Sequence, residues 1–169
     1  LNHTVALRSD GTVDVWGDST LNQTNIPPGL ENVTAIAAGW YHTTARLSDG
    51  TVVSWGDNFD GQTDVPEGIS GVTLVAAGPL HSLAIDGDGN VFGWGTNVPS
   101  IDAVPDGLQA STLVVTGQHY AVIALADGGL VAWGLNDAGQ TTIPGGLADV
   151  AELAASDAFV LALGCGVAP

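Results

Sequence analysis

The sequence predicts an all-β protein whose strands recur as blades of a β-propeller. Three observations predict it: a Trp returning every 39 residues, an Asp-Gly corner returning at the same step, and no window with the 3.6-residue apolar period of a helix. The tryptophans are Trp16, Trp55, Trp94 and Trp133, and the corners are Asp10-Gly11, Asp49-Gly50, Asp88-Gly89 and Asp127-Gly128. Pro27, Pro66, Pro105 and Pro144 keep the step, as do Gly29, Gly68, Gly107 and Gly146. Four registers without an insertion define a repeat, and several short strands per roughly 40-residue unit are the arithmetic of a blade.

One unit, residues 33 to 66, is read as follows. Val33 to Ala38 is an apolar run stopped by Gly39, the first strand. His42 to Leu47 alternates and forms the second strand. Asp49-Gly50 supplies the positive backbone angles of a tight hairpin turn. Thr51 to Trp55 is the third strand, Gly56 ends it, and Asp57 to Gly61 is a polar loop. Gln62 to Val65 is expected as a short edge strand before Pro66 breaks pairing. One such sheet cannot bury both faces alone, so neighbours must stack, with the repeated Trp between them. The units run 1–38, 39–77, 78–116 and 117–155, with a partial unit at 156–169, and are expected to form a single repeat domain over 1–169.

Composition narrows the function. Of 169 residues, 45% are apolar, enough for a core. There is no Lys; Arg8 and Arg46 stand against eighteen acidic residues, for a formal charge of -16. Such a field repels nucleic acid and anionic lipid, whose binding draws on cationic side chains, and it favours solubility or a basic partner surface. No apolar run approaches the roughly 20 residues of a membrane-spanning helix. Cys165 is the only cysteine, so no intrachain disulfide forms and the redox compartment stays open. With no Met in the chain, Leu1 is not an initiator residue, and the sequence reads as a processed, excised or partial chain.

The unit GWYHTTARLSDGTVVSWGDNFDGQTDVP, residues 39 to 66, resembles the regulator-of-chromosome-condensation repeat: Gly, two variable residues, His, an alternating strand, Asp-Gly, then Trp-Gly and Gly-Gln. The endings Gly61 to Pro66 and Gly139 to Pro144 resemble the bacterial branch of that family, which includes the propeller-shaped β-lactamase inhibitor proteins. The third unit departs at Ser100-Ile101, and the His position holds Tyr120 and then Phe159. The resemblance implies a ring that usually has seven blades, and a secreted or surface-exposed bacterial protein. Residues 149 to 163 carry a first and second strand without an Asp-Gly turn, while His3 to Leu7 opens the chain with a second strand. Three readings fit: upstream blades cut away, two arcs pooled in a homo-oligomer, or a compact four-blade ring.

Chemistry-bearing patterns are sparse. His3, His42 and His81 share one repeat position, with His119 one step out of register. They read as spokes converging on an axis for a metal, or as blade-edge residues that pack and hydrogen-bond; Tyr120 and Phe159 at the same position favour the second, so no metal is expected. Asp57, Asn58, Asp60 and Gly61 hint at a calcium loop, but no Glu stands where such a loop ends. No Gly-x-Ser-x-Gly and no phosphate-binding glycine motif occurs, and Cys165 lacks cationic neighbours that would activate its thiol. No cofactor and no catalysis are expected.

Binding has the better case. Positions fixed from unit to unit serve the blade; positions that vary are released from that duty. The freest are the two residues before the His position, Trp40-Tyr41, Pro79-Leu80, Gln118-His119 and Asp157-Ala158, and the loop after Trp-Gly, Phe59-Asp60, Val98-Pro99 and Asp137-Ala138. Trp40 is the one Trp outside the 39-residue register. In the inhibitor propellers, partner contact comes from aromatic and acidic residues at these loop positions. Carried over by position, the resemblance implies a protein-binding set of Trp40, Tyr41, Phe59, Asp60, Leu80, His119 and Asp137. The family's nucleotide-exchange role needs basic surface and a wedge loop, and this chain has neither. The sequence thus predicts a partner-binding module outside the cell or at its surface. A structural repeat module of a larger assembly, and an enzyme or carbohydrate site in the central funnel, stand as alternatives.

Overall fold

A computed structural model describes residues 3–96, 111–147, 149–156 and 159–164. Thirteen strands and no helix occur among them. Three sheets have three antiparallel strands: β3 (Val33–Ala38), β4 (His42–Leu47) and β5 (Val52–Gly56); β6 (Val72–Ala77), β7 (His81–Asp86) and β8 (Val91–Gly95); β9 (Ser111–Thr116), β10 (Tyr120–Leu125) and β11 (Leu130–Gly134). Two sheets have two strands: β1 (His3–Leu7) with β2 (Val13–Gly17), and β12 (Val150–Ala155) with β13 (Val160–Gly164). These are blades of a β-propeller, about four in number.

The chain forms two compact units, Leu1–Gly87 with Val91–Thr96, and Asp88–Asn90 with Asn97–Pro169. In the first, β1 packs on β3, and β3 and β4 pack on β6; in the second, β9 packs on β12. Strand β4 is buried from His42 through Ala45 because each of its faces meets a blade. Val13, Val33, Ala45 and Trp55 form one core cluster of the first unit, and Val72, Ala84 and Trp94 another. The Trp alignment sets the register: Thr43 pairs with Trp55, Ser82 with Trp94 and Ala121 with Trp133. A bulge returns near the start of each first strand, where the hydroxyls of Thr34, Thr73 and Thr112 donate to the carbonyls of Arg46, Ile85 and Ala124.

The Asp-Gly corner is the expected tight hairpin turn, but its positive backbone angle belongs to the glycine alone, with φ of 81° at Gly50. The Gly50 amide donates to Leu47 and the Leu47 amide to Thr51, a three-residue hairpin. Asp49 caps it by accepting from the amide and hydroxyl of Thr51, and that hydroxyl is the main reason its carboxyl titrates below the ordinary range. The corner also joins blades, since the carbonyls of Gly11 and Gly50 accept from the amides of Val33 and Val72.

The edge strand expected at Gln62 to Val65 does not form. Asp64 and Val65 spend their amides on Gly61 and Thr63, which closes a turn in place of a ladder. Val98-Pro99, Ser100-Ile101, Asp157-Ala158 and Cys165 lie outside the described residues.

Candidate protein-interaction surface

The variable loops are built on fixed chemistry. In the three three-stranded blades, the amide after Trp-Gly donates to the carbonyl of the residue just before the His position: Asp57 to Tyr41 at 2.9 Å, Thr96 to Leu80 at 2.9 Å, and Leu135 to His119 at 2.8 Å. The glycine between must be bare. At Gly95 a β-carbon would lie 2.5 Å from the Leu80 carbonyl, and at Gly56 and Gly134 it would strike Tyr41 and His119 in the same way. These glycines carry φ of 112°, 109° and 103° in chain order. Each blade thereby clamps its two variable loops side by side.

In the second blade the clamp brings aromatic side chains together. Trp40 and Tyr41 meet edge to face, with ring centroids 6.3 Å apart and planes at 85°. Both are half-buried, while Phe59 on the neighbouring loop is 92% exposed. The Trp40 amide donates to the Pro79 carbonyl, which places the half-buried Leu80 in the adjoining loop. Asp60 is half-buried in the Phe59 loop. In the second unit His119 is half-buried and Asp137 exposed, and the Leu135–His119 bond brings their loops together. Trp40, Tyr41, Phe59, Asp60 and Leu80 therefore share one end of adjoining blades, and His119 and Asp137 one end of another.

Sequence reasoning missed the residue that holds the Phe59 loop. Gln62 is fully buried; its Oε1 accepts the Asp60 amide at 2.8 Å and its Nε2 donates to the Asp57 carboxylate at 3.0 Å. Gln23 and Gln140 accept from Leu21 and Ala138 in the same way. The repeated Gly-Gln carries this signal, as a fixed polar residue beside a varying loop.

His3 and His42 make hydrogen bonds between blades. The Nε2 of His3 lies 3.0 Å from the Thr43 hydroxyl, and that of His42 2.9 Å from the Ser82 hydroxyl. Each imidazole thus ties its blade to the next. Burial, and then the neighbouring imidazoles of His81 and His3, push His42 down to about 4, so it is neutral at physiological pH. Tyr120, in the same position, puts its hydroxyl 2.7 Å from the carbonyls of both Ser156 and Phe159. No group of three metal-ligating side chains occurs among the described residues. Both cations are engaged: Arg8 with Asp14 at 2.6 Å, and Arg46 with the Thr34 hydroxyl and the Thr73 carbonyl.

Residues 1–23, 33–62 and 72–98 match the family described as regulator of chromosome condensation (RCC1) repeat. No curated protein sequence matches the chain. Among solved structures it is similar to the ectodomain of the receptor kinase CR4 of Physcomitrella patens, at 25% identity and a TM-score of 0.77 over 99% of this chain and 47% of that one. It is also similar to the CRINKLY WD40 ectodomain of the Arabidopsis thaliana receptor kinase ACR4, at 25% identity and a TM-score of 0.71 over 98% of this chain and 57% of that one. Yeast RCC1 (Prp20), solved bound to Kap60, matches at 22% identity and a TM-score of 0.66 over 87% of this chain and 45% of that one, a likeness of fold. The chain spans about half the length of these relatives. Its first 98 residues thus match repeats of the regulator-of-chromosome-condensation type, and its described strands fold as blades of a β-propeller.

Proposed function

We propose that the chain is a non-catalytic interaction module that presents the clamped loops of its blades to a protein partner outside the cell. The observation that carries this reading is the repeated amide-to-carbonyl clamp. It holds the most variable residues side by side on a scaffold that does not vary, the usual division of labour in a binding surface. Phe59 beside the Trp40–Tyr41 pair supplies the aromatic anchors of an interface centre. The acidic surface, with both arginines engaged internally, suits a partner with basic residues at the rim. The two receptor-kinase ectodomains support an extracellular setting.

The test is selection of partners from a displayed protein library on the immobilised chain, with counter-selection on a Trp40→Ala, Tyr41→Ala, Phe59→Ala variant. Selected partners should lose at least about tenfold in affinity with Tyr41→Ala or Phe59→Ala, roughly 1.4 kcal/mol each. Unchanged affinity for these variants ends the proposal.

A structural module joined through its sheet edges is the second reading. Trp16, Leu161 and Leu163 favour it, being 54%, 62% and 60% exposed on the two two-stranded sheets. A funnel site gains nothing from His3 and His42, which are spent on bonds between blades.

A further inference from the structure

Aspartate followed by glycine is prone to rearrange, because a glycine amide with no β-carbon beside it can attack the aspartate side chain. The pair stands at four hairpin corners of this chain, so the dipeptide alone singles out none of them. The repeat keeps most of the corner constant. The amides of Gly11, Gly50 and Gly128 donate to the carbonyls of Arg8, Leu47 and Leu125 at 3.1, 3.1 and 3.0 Å. The three glycines have φ of 82°, 81° and 84°. Asp10, Asp49 and Asp127 are all exposed. The attacking nitrogen is thus held alike at the three corners.

What differs is the residue after the glycine, which is Thr12, Thr51, Asn90 and Gly129 in chain order. The Oδ1 of Asp10 accepts from the Thr12 amide at 3.0 Å and from its hydroxyl at 2.6 Å. The Oδ1 of Asp49 accepts from the Thr51 amide at 2.9 Å and from its hydroxyl at 2.7 Å. The Oδ1 of Asp127 accepts from the Gly129 amide at 2.9 Å, and Gly129 has no hydroxyl to add. The two threonine hydroxyls are also the main reason the Asp10 and Asp49 carboxyls titrate below the ordinary range. An ionised carboxylate is the poorer electrophile, since its oxygen leaves as water only from the acid. The hydroxyl therefore restrains the side chain in position and in charge, and the fourth unit lacks it.

We propose that Asp127-Gly128 is a modification site, at which the main chain rearranges to isoaspartate with water as the only co-reactant. The Gly128 nitrogen attacks Cγ of Asp127. A carbon–nitrogen bond forms, the amide proton and the carboxyl hydroxyl leave together as water, and a cyclic imide results. Water then opens the ring at the former main-chain carbonyl of Asp127, which becomes the free carboxylate. The chain now runs through the side-chain carbon, one atom longer, and nothing is oxidised or reduced. At Gly11 and Gly50 the same corner accepts the amide of the next blade, so the added atom falls on a type of corner that joins blades. The site does not depend on what the rim loops bind.

The test is to hold the full 169-residue chain at neutral pH and body temperature for weeks. Isoaspartate is then read at each corner by electron-transfer mass spectrometry of chymotryptic peptides. It should accumulate at Asp127 at least about fivefold faster than at Asp10 or Asp49, the factor one hydrogen bond supplies. Gly129→Thr installs the residue of the first two units, and its β-carbon meets only the movable side chains of Asp127 and Leu125. That variant should slow Asp127 to the rate of the other two corners. Thr51→Val, which removes the hydroxyl and keeps the branched shape, should raise Asp49 toward the rate of Asp127. In concentrated urea the three corners should react at similar rates, because the difference belongs to the folded corner. Equal rates in the folded chain, a parental rate in Gly129→Thr, an unmoved Asp49 in Thr51→Val, or a preference for Asp127 that survives intact in urea overturns the proposal.

Discussion

The Nε2 of His42 lies 2.9 Å from the hydroxyl of Ser82, forty positions further along the chain, so the bond crosses from one blade to the next. The His3–Thr43 bond spans the same interval. Ser82 also lies 2.8 Å from the hydroxyl of Thr44, and Thr44 2.9 Å from that of Ser54, so the joint is a buried polar chain in an apolar stack. Such a joint favours one blade spacing, because a shift strands several polar groups at once.

The joint makes stability depend on pH. His42 has a folded pKa of about 4 against 6.5 in the unfolded chain, so between those values the unfolded state binds more protons. Its contribution is therefore complete above about pH 6.5 and declines as pH falls toward 4, by about 3 kcal/mol at most. Burial lowers His3 as well, in the same direction. Urea midpoints measured from pH 7 to pH 4 should fall steadily, and His42→Gln should flatten the fall. An equal slope in that variant would remove His42 as its source.

The two buried tryptophans of the first unit should respond differently to loss of the indole N–H. Trp55 donates to Gln23, whereas the Trp94 N–H is buried without an acceptor. Trp55→Phe loses volume and a hydrogen bond; Trp94→Phe loses volume and relieves an unmet donor. Denaturant unfolding should show Trp55→Phe the more costly by about 1–2 kcal/mol.

Gly39 sits under the His42 ring, and a β-carbon there would strike both the imidazole and the Gly78 carbonyl. Gly117 stands in the same relation to Tyr120 and the Ser156 carbonyl. Gly39→Ala should cost about 1–3 kcal/mol, since the ring must leave Ser82 or the blades must part. Gly29→Ala, with open space around it but φ of 78°, carries only the left-handed backbone penalty and should cost less. Thermal unfolding of the two variants gives the order directly.

What the sequence revealed, and what it hid, follows from where each partner lies. Strands and corners were legible because their causes are local: alternation at His42 to Leu47, and a glycine that accepts positive φ at Gly50. The Trp register was legible because the same packing recurs at each step. The hydrogen-bonding role of His42 was legible from its repeat position, but its partner was not, because Ser82 lies in the next unit and its hydroxyl looks like any strand Ser. Thr43 and Ser82, each just after the aligned His, were the available clue. The edge strand expected at Gln62 to Val65 rests on Pro66 as a breaker of pairing and takes no account of Gln62. Its side chain instead turns back on Asp60, and the segment closes as a turn.

Gln62 gives the sharpest separation between holding a loop and touching a partner. It is fully buried and bonds Asp60 and Asp57 on either side of Phe59, while Phe59 itself is almost wholly exposed. Gln62→Ala leaves the Asp60 amide without its acceptor and should cost about 1–3 kcal/mol. Phe59→Ala should stay within about 0.5 kcal/mol of the parent, having nothing to unpack. If the rim binds through an ordered Phe59 loop, both variants weaken the partner, but by different routes. Phe59→Ala speeds dissociation at unchanged stability. Gln62→Ala loosens residues 57–61, visible as faster amide exchange at Asp60, and weakens binding without having touched the partner. Amide exchange and surface binding kinetics on the two variants check this, and a Gln62→Ala chain that exchanges faster yet binds as the parent would show that the loop's order is not what the partner reads.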